Sequence, residues 1–322
     1  MLESLQAGDS AAATLDRAVL ARLVLDGMIE IEVDGLPLSG PVAHPLFFSG
    51  SSGTDEGVIA TLSLEALRAA ASTGLTDPML LAGRLYRYNT RPTSPHWRRR
   101  WPDDGAVSRL LDVNHRVRQV GGTKHQDLIS AYGDRAVWRI WDSDRLPAPR
   151  PGTQTYKLYL SPTIVGVTES LAAALSLFRS AFSPFSLKVG RDLPSLLRPD
   201  KMVAYFASRD GLLAAAEYLR GNLAGLEAQG VPFTSELSGR GLLSEAADPT
   251  DEAEPPGPRR HGSWRSWVTA RLGGAMGAAL QSDADVSSIR YALDRTSLDG
   301  VDTARWIPPS WFDQATQAHA DH

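Results

Sequence analysis

The chain has 322 residues, a formal net charge of −4, 43% hydrophobic and 22% charged residues, and no cysteine. That balance is too apolar for a wholly disordered chain and not basic enough for a nucleic-acid binder. It also excludes disulfides, thiol nucleophiles and thiolate metal sites, and no apolar run is long enough for an ordinary membrane span.

The first residues, MLESLQAGDSAAATLDR, lack a basic start followed by an apolar run, so no secretory signal and a cytoplasmic location are expected. Residues 10–27 read as a helix capped by Ser10 and ended by Gly27. MIEIEV at 28–33 alternates as a half-buried strand before an Asp34-Gly35 turn. The SGSSGTDEG stretch at 49–57 reads as a loop, and a second helix is expected over 63–73, capped by Ser63 and stopped by Gly74.

Residues 84–150 carry 14 Arg or Lys against seven Asp, together with four of the eight tryptophans. The basic, Trp-flanked HWRRRW at 96–101 reads either as a solvated loop or as a docking surface for an acidic peptide or partner. VWRIW at 137–141 is strand-like, and Pro147, Pro149 and Pro151 mark a boundary. Two domains are expected: an α+β docking unit over 1–150 and a second unit over 151–322.

In the second half, TYKLYL (155–160), FSLKV (185–189) and MVAYF (202–206) read as strands. Helices are expected over 169–182, capped by Thr168, and from Asp210 to about 229, ended by Gly230. GRDLPSLLRPDK between two of the strands is a polar connection, and 238–262 is poor in apolar residues and reads largely as a mobile loop. SWRSWVTARLGGAMGAAL then opens a strand or helix. Its RLGGAMG lacks a P-loop lysine, and His115 and His125 have no acidic ligand pattern, so neither nucleotide nor metal binding is expected.

The chemistry concentrates on the three strands. A period of two separates Tyr156, Leu158 and Leu160 from Lys157 and Tyr159, sets Lys188 opposite Phe185, Leu187 and Val189, and puts Val203 and Tyr205 on one face. Lys157, Tyr159, Lys188 and Tyr205 can therefore share one surface, with Arg191, Arg198 and Lys201 in the connection. From 157 to 201 there are six basic residues against three acidic ones. Crowded cations favour a bound anion such as phosphate, and the same crowding lowers a lysine's pKa towards that of a general base. Ordinary solvated strand faces are the plain alternative.

Lys-x-aromatic-or-His on one strand, F-x-x-K-V on a second, an aromatic-tipped third strand and an Arg-bearing segment resemble the phosphothreonine lyases. TYKLYLSP, FSLKVGRD, LLRPDKMVAYF, VPFT and the LYRYN of 85–89 resemble more closely the HopA1-like proteins, a family named after a plant-pathogen effector. Bacterial relatives belong to gene clusters for class V lanthipeptides and thioamitides. The resemblance spans about 85–310 and implies an α+β protein: a mixed N-terminal half, then a lyase-like half with an antiparallel sheet and flanking helices.

It also implies β-elimination of phosphate from phosphoserine or phosphothreonine of a precursor peptide, giving dehydroalanine or dehydrobutyrine, with a separate partner kinase. By position Lys157 is the base, Lys188 an enolate stabiliser or phosphate contact, and Arg191, Arg198, Lys201 and Tyr205 contact phosphate. Arg265 and Arg271 match the family's later arginine region. No metal or other cofactor is implied. The departure is Tyr159, which stands where the effector lyases place a histidine as general acid. Tyr159 then donates the proton, or no acid is needed, or the chain is a non-catalytic subunit that binds the peptide or activates the kinase. A secreted effector acting on host phosphoproteins is a third reading.

Overall fold

Residues 16–49, 57–112, 123–129, 136–143, 154–249 and 263–308 are described by the computed structural model. Ser10, most of the 49–57 loop, the prolines of 147–151, His115 and residues 250–262 lie outside them.

The N-terminal half begins with helix α1 (Arg17–Leu25), capped by Asp16, whose carboxylate accepts from Ala18 N, where Ser10 was expected to cap it. Strands β1 (Ile31–Val33) and β2 (Leu36–Leu38) form a hairpin around Asp34 and Gly35, both at positive φ, as the Asp-Gly pair predicts. Helix α2 (Val58–Ala71) begins five residues before the expected Ser63 cap. Ser63 is buried inside it, donating to Ile59 O at 2.7 Å and accepting from Phe233 N at 2.8 Å. A hydroxyl that bonds a distant backbone is indistinguishable in sequence from one that caps.

Helices α3 (Pro78–Arg87), α4 (Pro95–Arg100) and α5 (Asp104–Asp112) follow. HWRRRW is thus mostly a short helix: Arg98, Arg99 and Arg100 are exposed, while Trp101 is buried and stacks on Trp97. Strands β3 (Thr123–Ile129) and β4 (Ala136–Ser143) complete this half.

Both join the strands of the second half in one antiparallel sheet. With β5 (Tyr156–Leu160), β6 (Ser186–Gly190), β7 (Met202–Phe206), β8 (Ser235–Glu236) and β9 (Leu243–Ala247), the order is β3-β4-β6-β7-β5-β9-β8. Helix α6 (Val167–Ser176) has Gly166 at its cap, not Thr168, and runs into a short 3-10 turn. Helix α7 (Leu193–Leu196), capped by Asp192, interrupts the β6–β7 connection. Helix α8 (Arg209–Asn222) is capped by Ser208, with Asp210 in its first turn.

The expected loop over 238–262 is overturned in part. LSEAA at 243–247 is strand β9, fully buried and paired with β5. Its small and polar residues carry no apolar signal, and the tertiary pairing alone makes it a strand. Helices α9 (Trp264–Leu280) and α10 (Ser288–Ser297) close the chain.

The sheet is the middle layer of an α+β architecture. One face packs Leu158, Leu187, Val189 and Ala204 against α5, α6 and α8. The other packs Tyr159, Val203 and Ala246 against α1, α2, α3, α9 and α10. With both faces covered, every residue of β5 is buried, including Lys157. Gly273 and Gly277 let α9 approach α3: a Cβ at Gly273 would lie 2.7 Å from Ala82 N and from Pro78 O.

Candidate active site

The register of the three central strands builds the floor of a pocket. Lys157 pairs with Tyr205, and Val203 pairs with both Tyr159 and Lys188, so these side chains rise from one face of β5-β7-β6. Around them stand Trp138 from β4, Arg198 and Asp200 from the β6–β7 connection, Tyr86 from α3, and Ser263 with Arg265 from the start of α9. They line a cavity of about 60 Å³.

The electrostatics are organised by Asp200. Arg198 donates to its two carboxylate oxygens from Nε and Nη2, both at 2.8 Å, and Arg265 Nη1 lies 2.9 Å from Oδ2. Tyr86 donates its hydroxyl to Asp200 at 3.4 Å and accepts from Arg198 at 3.2 Å, while its carbonyl accepts from Arg265 Nη2 at 2.6 Å. Burial works against charge on Asp200, but Arg265 and Arg198 outweigh it and hold the carboxyl far below the usual carboxylate range. Arg265 is 1% exposed, and its Nε has no hydrogen-bond partner among the described residues. A buried guanidinium N–H left open beside a polar cavity is suited to an anion there.

The two lysines differ. Lys157 Nζ sits 2.6 Å from Asp248 Oδ2 and 5.4 Å from the centre of the Tyr205 ring. Lys188 makes no ion pair among the described residues and lies 4.0 Å over the Trp138 ring. Burial pulls Lys188 down to about 8; Asp200 opposes this, and Lys157 and Arg198 reinforce it. Burial pushes the phenols of Tyr159 and Tyr205 well above their ordinary value, so both stay protonated as donors.

Of the residues expected to act together, Lys157, Tyr159, Lys188, Arg198, Tyr205 and Arg265 line this cavity. Three do not. Lys201 points away and is sealed in the protein, donating to Pro162 O at 2.8 Å and Gln229 Oε1 at 2.7 Å. Arg271 stacks 3.6 Å over Trp267 and pairs with Asp299 at 3.0 Å, six residues along α9 and on another face from Arg265. Arg191 follows β6, its N–H bonded to Val137 O, and is not among the lining residues.

The expectation of cations lacking carboxylates is also corrected, because Asp200 and Asp248 sit among them. Sequence reasoning missed Tyr86, Trp138, Asp200, Asp248 and Ser263. LYRYN and the Arg-x-Asp of LLRPDK offered a signal for two of them, and nothing local marks the others.

No family model and no curated protein matches the sequence. Among solved structures, the effector protein from Pseudomonas syringae pv. syringae strain 61 is similar at 13% identity and TM-score 0.48, over 76% of this chain and 96% of that one. The effector from P. syringae pv. tomato strain DC3000 gives 14% and 0.44 over the same shares. The phosphothreonine lyase SpvC, an effector from Salmonella, gives 13% and 0.29, over 44% of this chain and 89% of that one. No helix among the described residues is long and apolar enough to cross a membrane.

Proposed function

We propose that this chain is a phosphoserine/phosphothreonine lyase acting on a phosphorylated peptide. The observation that carries the reading is that Lys188, half-buried and without an ion pair among the described residues, opens into the same small cavity as Arg198, Arg265 and Lys157. Arg198 and Arg265 grip the phosphate, with Asp200 and Tyr86 fixing both guanidinium planes. Lys188, pulled down to about 8, is neutral in a useful fraction near neutral pH and removes the α-proton. Lys157 is a poorer candidate base than its position in the motif implies, because its amine is engaged by Asp248 at 2.6 Å whereas Lys188 has no ion pair among the described residues. The electron pair from the Cα–H bond forms the Cα–Cβ double bond, and the Cβ–O bond breaks onto phosphate. Dehydroalanine or dehydrobutyrine remains.

The finer reading is maturation of a ribosomal peptide of the lanthipeptide type beside a separate kinase, in the manner of the HopA1-like proteins. What supports it is the sequence resemblance of TYKLYLSP, FSLKVGRD and LLRPDKMVAYF. One observation favours a second reading, a non-catalytic subunit that binds the peptide: Tyr159 replaces the expected histidine and is buried. The test is to incubate the protein with a phosphorylated precursor peptide and follow loss of phosphoric acid by mass spectrometry. Elimination by wild type and none by Lys188→Ala supports the lyase. Binding without elimination, even with the kinase present, supports the second reading.

A further inference from the structure

Phosphate leaves as a strong base unless a proton reaches its bridging oxygen, and among the described residues no histidine lines this cavity. We infer that the Lys157–Asp248 pair is the proton donor to the leaving phosphate; this rests on the lyase reading above. Three observations carry the assignment.

The first is placement. Lys157 lines the cavity with Arg198, Arg265 and Lys188, and stands two strands from Lys188 on the same sheet face in the order β6-β7-β5. Two separate amines over one bound residue let one take the α-proton while the other meets the leaving oxygen. The second is the partner. Asp248 holds Lys157 at 2.6 Å with one oxygen and accepts the Trp264 N–H at 2.8 Å with the other. The same carboxylate therefore fixes the ammonium and the start of α9, one residue before Arg265. Lys157 is 7% exposed and Asp248 27%, so the carboxylate connects a sealed ammonium to solvent, from which it is reprotonated.

The third observation concerns the competitor. Tyr159 is fully enclosed against the aromatic core of α9, and that burial, the largest cause, raises its phenol well above its ordinary value. It is suited to donate a hydrogen bond rather than to release a proton.

The step balances. Neutral Lys188 becomes an ammonium by taking the α-proton. Lys157 passes one proton to the bridging oxygen as the Cβ–O bond breaks, leaving hydrogen phosphate and a neutral amine. Lys188 then releases a proton to solvent, and Lys157 regains one. No oxidant, metal or co-reactant enters.

Lys157→Arg provides the test, because arginine keeps the positive charge and a carboxylate partner but does not give up a proton. Two substrates are compared, a phosphoserine peptide and the same peptide carrying O-sulfoserine, whose sulfate leaves without protonation. With the phosphopeptide, Lys157→Arg is expected to eliminate about a hundredfold or more slowly than wild type. With the sulfated peptide it is expected to stay within about threefold of wild type. Equal losses on both substrates overturn the assignment. If wild type leaves the sulfated peptide intact, the pH profile on the phosphopeptide decides. An alkaline fall present in wild type and absent in Lys157→Arg supports the donor, and an unchanged fall overturns it. If wild type eliminates from neither peptide, the lyase reading itself fails, a distinct result.

Discussion

Arg265 and Asp200 meet at 2.9 Å in the wall of the cavity, one from the first turn of α9 and the other from the loop before β7, and Arg265 is almost wholly buried. Arg265→Ala leaves Asp200 paired with Arg198 but removes the donor to the buried Tyr86 carbonyl. It is expected to destabilise the fold by about 1–3 kcal/mol, seen as a lower denaturation midpoint. Arg265→Lys retains the charge but cannot bond Asp200 and the Tyr86 carbonyl together. It is expected to fold and to bind inorganic phosphate at least tenfold more weakly by calorimetry, an effect of about 1.4 kcal/mol. Unchanged phosphate affinity would remove Arg265 from the site.

The rate of elimination is expected to rise with pH through about 8. Lys188 must be neutral to accept a proton, its folded pKa is about 8, and it is mostly protonated below that value. The measurement is kcat/KM against pH on a phosphopeptide. A rate already flat from pH 6 to 9 would exclude Lys188 as the base.

Lys201 governs stability rather than chemistry. Burial lowers it from 10.5 to about 7, and it donates to two carbonyl oxygens without a carboxylate. Below about pH 7 it is charged in the folded and unfolded chain alike. Between about 7 and 10.5 the unfolded chain holds a proton that the folded chain has released, so stability rises with pH across this window. The rise is on the order of a few kcal/mol. Lys201→Met is expected to flatten it in urea titrations at pH 7 and 9.5, leaving the smaller contribution of Lys188. An unaltered slope would place its origin elsewhere.

Gly273 and Gly274 are neighbours on α9 with opposite expectations. A Cβ at Gly273 meets the α3 backbone at 2.7 Å, whereas one at Gly274 meets nothing within 4 Å. Gly273→Ala should push α3 off α9 and cost about 1–3 kcal/mol. Because Tyr86 and Arg265 ride on those two helices, elimination should fall with stability. Gly274→Ala should be neutral or stabilising by up to about 1 kcal/mol, since alanine is the better helix former. Thermal melts of the pair check the contrast, and equal melting temperatures would contradict the close packing.

The readable part of the site was the part that lies on strands. The period of two assigned Lys157, Tyr159, Lys188 and Tyr205 to one face, and the register carries them there. Arg191, Lys201 and Arg271 were drawn in by their charge and by the family resemblance, and neither specifies the direction of a side chain. Lys201 turns into the protein towards Pro162 and Gln229, and Arg271 turns towards Trp267 and Asp299. Asp248 and Trp138 gave no local sign, since Asp248 meets Lys157 and Trp138 meets Lys188 only through pairing between segments far apart in the chain.

Sequence alone determined which side chains share a strand face, because alternation is built into the extended backbone and needs no partner. Runs of two-residue and helical period showed that both strands and helices are present, and the family resemblance implied the α+β class. Tertiary structure decided which faces meet, that β9 is a buried strand, and that Asp200 and Asp248 temper the cations. Those outcomes depend on strand order, helix approach and burial, which arise from contacts between distant residues rather than from any local pattern.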